Sequence, residues 1–436
     1  MKFQRRVGLL LFFFIFRCAI QAQDAKTEYL VEPPAVHKKK PVQKNSIAAK
    51  PTPTPKPSPT AKLAKHDKPA ATTATVAPKI AKPSPTPKPE PQLPKIQRAD
   101  TNDIARLIAG MKPLGSGPVA ELAKTSEWTN HATYMDGRWQ RFETGRLLAI
   151  KAWRKKEFQP DVKTVFYPFS GPDFIYLATY FPDATTYILC GLEPVGDLPT
   201  VDKIQPLDAT FGWLQSSFKT LLVAGYFVTK DMGVDLKMSP LQGTLPLLCV
   251  MLVRSGDHIV SIARDANHAE IKFTTPGSSG TRTLHYFCTD LSNSGLAGKG
   301  GAFLEFVKRS HPGAAYFKAA SYLTHEPEFS TVRNAVLANC PLIVQDDSGI
   351  PLRCFDTARW RLQLYGVYAP PLDIFKKYDQ PDLAALYAKG GAKPLNFRTG
   401  YHWDHNTANL MVATVDAHAA SSPVPTKSAA PARSSR

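Results

Sequence analysis

The chain has 436 residues, 39 of them proline, and 54 Lys+Arg against 36 Asp+Glu give it a formal charge of +18. Taken whole, that charge points to a polyanion partner, but residues 33–97 alone hold 13 lysines and 16 prolines against Asp67 and Glu90, a net of +11 without one aromatic residue. The leader through Glu32 carries +2 and the tail from Ala419 carries +3, which leaves +2 for residues 98–418. A nearly neutral folded part lacks the concentrated basic face of a nucleic-acid module, so nucleic acid is set aside as a partner.

Lys2, Arg5 and Arg6 precede an apolar run over residues 7–16 that ends at Arg17. Ten apolar residues are too few to span a bilayer. With small residues at Ala19 and Ala22, the pattern predicts a secretory signal peptide over residues 1–22 and a mature chain outside the cytoplasm. Cys18 does not read as a lipidation site, because Arg17 stands where a small residue is needed.

Residues 23–97 read as a disordered linker. KPTPTPKPSPTAK (50–62) recurs in form as AKPSPTPKPEPQ (81–92), and proline at every second position holds such a chain near polyproline II, as a semi-rigid spacer. Its lysines make an anionic cell-envelope polymer a candidate partner. Residues 419–436 read as a second disordered segment, and residues 98–418 as one domain.

Within that domain, TVFYPF (164–169) predicts a strand, SGPDFIYLATYFPD a turn and helix, and TTYILCGL (185–192) a second strand, which together form a β-α-β unit. Asp208 is placed to cap a helix that carries Phe211, Leu214, Phe218, Leu221 and Leu222 at helical spacing, and residues 244–254 form a shorter apolar helix. HIVSIAR (258–264), AEIKFTT (269–275) and TRTLHYFC (281–288) predict consecutive antiparallel strands. A helix over 301–309, a strand near 315–322, a helix over 330–339 and a strand over 341–345 follow. QDDSGIPLRCF then predicts a hairpin that leads into WRLQLYGVY (360–368) as the last strand. The expected fold is α/β, a Rossmann-like mixed and largely parallel sheet with an antiparallel insert.

Four constellations could carry chemistry. In FYPFSGPDF, Ser170, Gly171 and Asp173 fall where a strand gives way to a helix, and Glu193 follows just past the second strand, about where a dinucleotide fold places its ribose-binding acid. These four are the candidate ligand-binding residues, although no G-x-G-x-x-G is present and the Ser170-x-x-Asp173 spacing is also that of a capping box. Asp346 and Asp347 could divide acid and base roles or hold a hard cation, or could simply supply turn chemistry. His402, Asp404 and His405 are candidate zinc ligands without a further ligand at a typical spacing, so no metal is assigned. His325, beside Glu326, completes a candidate catalytic set with Asp173, Glu193 and Asp346.

FYPFSGPDF, FPDATTYILCGLEPVG, QDDSGIP and YGVYAPPLDIF resemble stretches of uncharacterised exported bacterial proteins, over most of residues 120–390. The resemblance implies export and the extent of the domain, and brings no activity with it. The cofactor stays open, since NAD and S-adenosylmethionine are scarce outside the cytoplasm. The sequence thus leads to an exported, tethered domain that binds a small molecule or envelope component. An exported hydrolase or transferase and a structural envelope protein are the alternatives. After the leader, five cysteines remain, an odd number that permits one disulfide and argues against a disulfide framework.

Overall fold

In a computed structural model of the chain, residues 93–96, 98–227, 241 and 243–416 are described. The expected signal peptide, nearly all of the spacer and the C-terminal tail lie outside them.

Ten strands form one sheet: β1 (Lys95–Ile96), β2 (Thr164–Tyr167), β3 (Thr186–Gly191), β4 (His258–Arg264), β5 (His268–Thr274), β6 (Arg282–Cys288), β7 (Ala314–Phe317), β8 (Leu342–Gln345), β9 (Trp360–Gly366) and β10 (Asn409–Val415). Their spatial order is β1-β4-β5-β6-β3-β2-β7-β8-β10-β9. The five central strands, β6 through β8, are mutually parallel. The outer pairs on both sides are antiparallel. The fold is α/β with a mixed sheet that is parallel at its centre, and β6 both closes the antiparallel insert and joins the parallel set.

The central strands β2, β3, β7 and β8 are short and buried on both faces, and their side chains alternate between two cores, as a period of two requires. Val165, Tyr167, Tyr187 and Leu189 face one core, while Phe166, Ile188, Cys190 and Phe317 face the other. The first core is covered by α1 (Thr101–Ile108), α3 (Ser126–Phe142), α4 (Leu148–Glu157), α5 (Phe174–Tyr180), α6 (Leu207–Val223) and α7 (Leu245–Arg254), with α2 (Pro118–Leu122) packed beside α1. Helices α8 (Asn293–Ala297), α9 (Gly301–Arg309) and α10 (Ser330–Asn339) cover the second; α11 (Pro381–Ala388) packs near β9. Helix α3 buries His131, Met135, Trp139 and Phe142 along one stripe and passes through a π turn, Glu143–Leu147, into α4.

The structure corrects three local expectations. QDDSGIP is not a hairpin turn, because β8 pairs with β10 and not with the strand that follows it. The strand Asn409–Val415 enters between β8 and β9, so 360–368 is not the last strand. Asp208 lies in the first turn of α6 but makes no capping bond; Pro206 occupies the cap position. Cys190, Cys249, Cys288, Cys340 and Cys354 are all free thiols. No helix among the described residues is long and apolar enough to cross a membrane.

Candidate functional site

Counted in chain order, the parallel strands β2, β3, β6, β7 and β8 are arranged 3-2-1-4-5, the order of doubly wound nucleotide-binding sheets. The order reverses between β2 and β7. At such a switch point the loops leaving the two strands part to opposite sides, and a crevice forms over their carboxyl ends.

Beyond β2 the backbone turns through left-handed conformations at Phe169 (φ 59°) and Gly171 (φ 52°). That turn folds the loop onto β3, where the Ser170 hydroxyl accepts from the Cys190 N–H at 3.0 Å and donates to the Cys190 carbonyl, while the Gly171 N–H donates to the same carbonyl at 3.1 Å. Ser170 therefore acts as a clip that completes the ladder of β3, and its hydroxyl has no base beside it to make it a nucleophile.

The expected capping box does not form. Asp173 occupies the cap position of α5, but its carboxylate turns away from the helix. Its Oδ2 accepts from the Lys318 ammonium at 2.6 Å and from the Tyr167 hydroxyl at 3.1 Å, with both charged side chains almost fully buried. Lys318 also donates to the Gly225 carbonyl and lies 3.5 Å from the centre of the Tyr176 ring. A buried ammonium carries a full charge and attracts a carboxylate more strongly than backbone amides do, which explains the lost cap. Burial pushes the Asp173 carboxyl up and the Lys318 amine down, each held back by the charge of the other.

Beyond β7 three residues of the next four that follow Lys318 are left-handed without being glycine: Ala319 (φ 51°), Ser321 (φ 53°) and Tyr322 (φ 55°). Each such residue costs on the order of 1–3 kcal/mol and persists only where its surroundings over-determine it. Here the surroundings are the residues after β8. The Ala319 N–H donates to Asp346 Oδ2 at 2.9 Å, the Ala320 N–H to the Ser348 hydroxyl at 2.8 Å, and the Tyr322 hydroxyl to Asp347 Oδ2 at 2.5 Å. Tyr401 completes the brace by accepting from the Ser321 N–H and donating to the Ala319 carbonyl.

Asp346 and Asp347 thus end a parallel strand, and their environments differ. Asp346 is pushed up to about 6 by burial and by the neighbouring Asp347 charge. For Asp347 burial acts in the same direction, but hydrogen bonds from His402 (3.1 Å), Tyr322 and Asn409 (3.2 Å) outweigh it and hold the carboxyl low. The Asp347 N–H in turn donates to the Asn409 side chain at 2.9 Å, which fixes the carboxylate from its own backbone. His402 is raised in spite of burial, because Asp347 stabilises the imidazolium.

Glu193, two residues past β3, is buried with its backbone carbonyl and Oε2 facing the Tyr286 hydroxyl at 2.9 and 3.3 Å. A Cβ on Gly191 would lie 2.3 Å from Glu193 Oε2 and 3.0 Å from the Gly171 Cα, so glycine at 191 lets the acid lie back beside Gly171. Three of the four candidate ligand residues, Ser170, Gly171 and Glu193, therefore cluster at the β2–β3 ends, with Asp173 turned toward β7.

The candidate catalytic set does not assemble. Glu193, Asp173 and Asp346 follow β3, β2 and β8, a row of strand ends about 14 Å wide at the usual strand spacing. His325 packs edge-on against the stacked rings of Tyr322 and Tyr378, and burial lowers it to about 4. The candidate zinc ligands are likewise divided: His402 turns inward to Asp347, while Asp404 and His405 are exposed and pair with each other at 3.2 Å. Among the described residues no group of three or more His, Cys, Asp or Glu side chains is placed to hold an ion. Two clefts lie away from the strand ends, one of about 590 Å³ against β9 between Leu352 and Leu386, the other between α3 and Phe273.

Lys318, Tyr322, Asn409 and the pairing of Asp347 with His402 escape a reading of the sequence. Lys318 had a signal, a lone charge in the apolar run AAYFKAASYL; the others meet only through the sheet order. Comparison with family models, curated proteins and solved structures finds no match for the chain.

Proposed function

We propose that the chain binds a small, hydroxyl-bearing organic molecule over the carboxyl ends of β3, β2 and β7, on a domain that its Pro/Lys spacer tethers outside the cytoplasm. The observation that carries this reading is the left-handed backbone in both loops at the switch point, braced by buried side chains where a merely structural turn would have relaxed onto glycine. Glu193 beside Gly171 supplies an acceptor for ligand hydroxyls. The N–H groups of Gly171 and Asp173 bond to Cys190 and Ser170, which withdraws both from a phosphate cradle. That counts against a dinucleotide.

Thermal unfolding of the full chain with neutral saccharides, cell-envelope fragments, adenosine and NAD tests the proposal. At least one neutral hydroxyl-bearing compound should raise the melting temperature, with an affinity at least tenfold weaker in Glu193→Gln. A panel without effect, or NAD as the sole binder, would sink it.

One observation favours the second reading, a hydrolase or transferase: Asp347 orients His402 as a carboxylate orients a general base, with every Asp347 oxygen already bonded. On that reading His402→Gln abolishes turnover of the bound compound and leaves its affinity within twofold, whereas unchanged turnover leaves a binding protein.

A further inference from the structure

Val223, the last residue of α6, leaves its carbonyl without a helical partner, and two arginines meet there. Arg146 donates through Nη2 at 3.2 Å and Arg398 through Nη2 at 2.6 Å. One would suffice to satisfy a helix end, whose partial negative charge favours a cation. Two guanidiniums on the same oxygen repel each other. Arg398 is held below its ordinary value by burial and by the Arg146 charge.

The remaining contacts do not offset that repulsion. Arg146 donates to the Tyr176 hydroxyl at 2.9 Å and Arg398 to the Trp403 carbonyl at 3.2 Å, and among the described residues no carboxylate bonds to either. Each guanidinium has five N–H groups and spends two. Both side chains are half-buried, between Phe142 on one side and Trp403 on the other.

The backbone is shaped to place them. Arg146 stands on the π turn Glu143–Leu147, an irregularity that re-aims a side chain within an otherwise continuous helix and is frequent at functional sites. Gly225 (φ +97°) admits the guanidinium, since a Cβ there would lie 1.6 Å from Arg146 Nη1. Arg398 comes from the loop that also carries Tyr401 and His402, and Gly225 accepts the Lys318 ammonium, so the two arginines border the strand ends of β2 and β7.

We propose that Arg146 and Arg398 form an oxyanion subsite that takes a carboxylate or a phosphate monoester of the bound molecule. The planar forks of two arginines match the oxygens of either group, and an anion between them removes their mutual repulsion. The ligand would then carry its hydroxyls toward Glu193 and its anionic group toward Arg398. The inference rests on the crevice reading given above for the position of the ligand, and rests on the arginine pair for its charge.

The full chain is titrated with sodium phosphate and with sodium acetate, at ionic strength held constant with sodium chloride, and followed by thermal unfolding. One of the two anions should stabilise saturably, at least tenfold more weakly in Arg398→Gln and in Arg398→Lys, which keeps the charge and removes the fork. Because every variant retains the basic spacer, the difference reports on the domain. The proposal is overturned if neither anion acts saturably, or if wild type and both variants respond alike. Response to phosphate points to a phosphomonoester, response to acetate to a carboxylate. Should Arg398→Gln fail to fold, Arg398→Lys decides. A neutral compound measured in parallel keeps the two readings apart: it should weaken in Glu193→Gln and not in Arg398→Gln, whatever the anions do.

Discussion

Lys318 and Asp173 lie in the interior as a charged pair, and the energetic consequence depends on which partner is removed. Lys318→Met strands a carboxylate without its counter-ion, a change expected to cost about 3–5 kcal/mol. Lys318→Met combined with Asp173→Asn removes both charges and should cost markedly less than the single change; urea unfolding of the two variants decides it. The histidines give a pH dependence of known sign. His131, His268, His285 and His325 are each lowered to about 4 from an ordinary 6.5, in every case first by burial. Between those values the unfolded chain binds protons that the folded chain refuses, so stability falls as the pH drops from 6.5 toward 4, by about 3 kcal/mol for a single such site. His268 and His285, 3.1 Å apart, titrate as a coupled pair. His402 has the opposite sign: its pairing with Asp347 stabilises fully below pH 6.5 and is lost as the pH rises through its raised value. NMR titration of the imidazoles should find His402 titrating above the ordinary value.

Among the described residues, three of the non-glycine residues with left-handed backbone lie in the loop after β7. Ala319→Gly relieves a left-handed residue and should stabilise by about 1 kcal/mol, while weakening ligand binding if the conformation shapes the crevice. Chemical unfolding and the titrations above measure both sides of that trade. Beside β4, outside the two residues that β1 pairs, Asn102 takes the place of a strand by donating to the Ile259 carbonyl at 2.7 Å and accepting from its N–H at 2.9 Å. Asn102→Ala should cost about 1–2 kcal/mol and promote self-association along β4, read by light scattering. Elements were legible in the sequence where the cause was local. The runs TVFYPF and TTYILCGL predict β2 and β3 because apolar runs between turn residues suffice for buried strands. The Ser170-x-x-Asp173 spacing misleads because a lysine 145 positions further along the chain competes for the carboxylate. Asp346 and Asp347 resemble a turn because their partners, Tyr322, His402 and Asn409, come from other segments of the chain.

At the scale of the molecule, the +18 of the chain resides mainly in residues 33–97, and two kinds of binding should separate by their response to salt. Contact between the spacer and an anionic polymer releases counterions and should weaken steeply with ionic strength. Binding in the crevice, among buried groups, should change little for a neutral compound. Pull-down with anionic cell-wall polymer at 50 and at 300 mM salt, with and without residues 33–97, checks the first; melting shifts at the same two salt concentrations check the second. The overall class was legible because helical and strand segments alternate along the chain. The strand order was not, since it depends on which loops cross the sheet, and the site inherits that limit: Ser170, Gly171 and Glu193 follow local rules, whereas Lys318 and His402 reach the crevice through topology.

Among the described residues the last strand along the chain is next to last in the sheet: β10 lies between β8 and β9 and pairs β9 over its full length. A chain that emerges amino terminus first therefore cannot complete the pairing of β9 with β10 until residue 415 is free. His402, just before β10, cannot meet Asp347 any earlier. The polar groups over β8, Asp347 with His402 and Asn409, therefore come together only once β10 lies beside it.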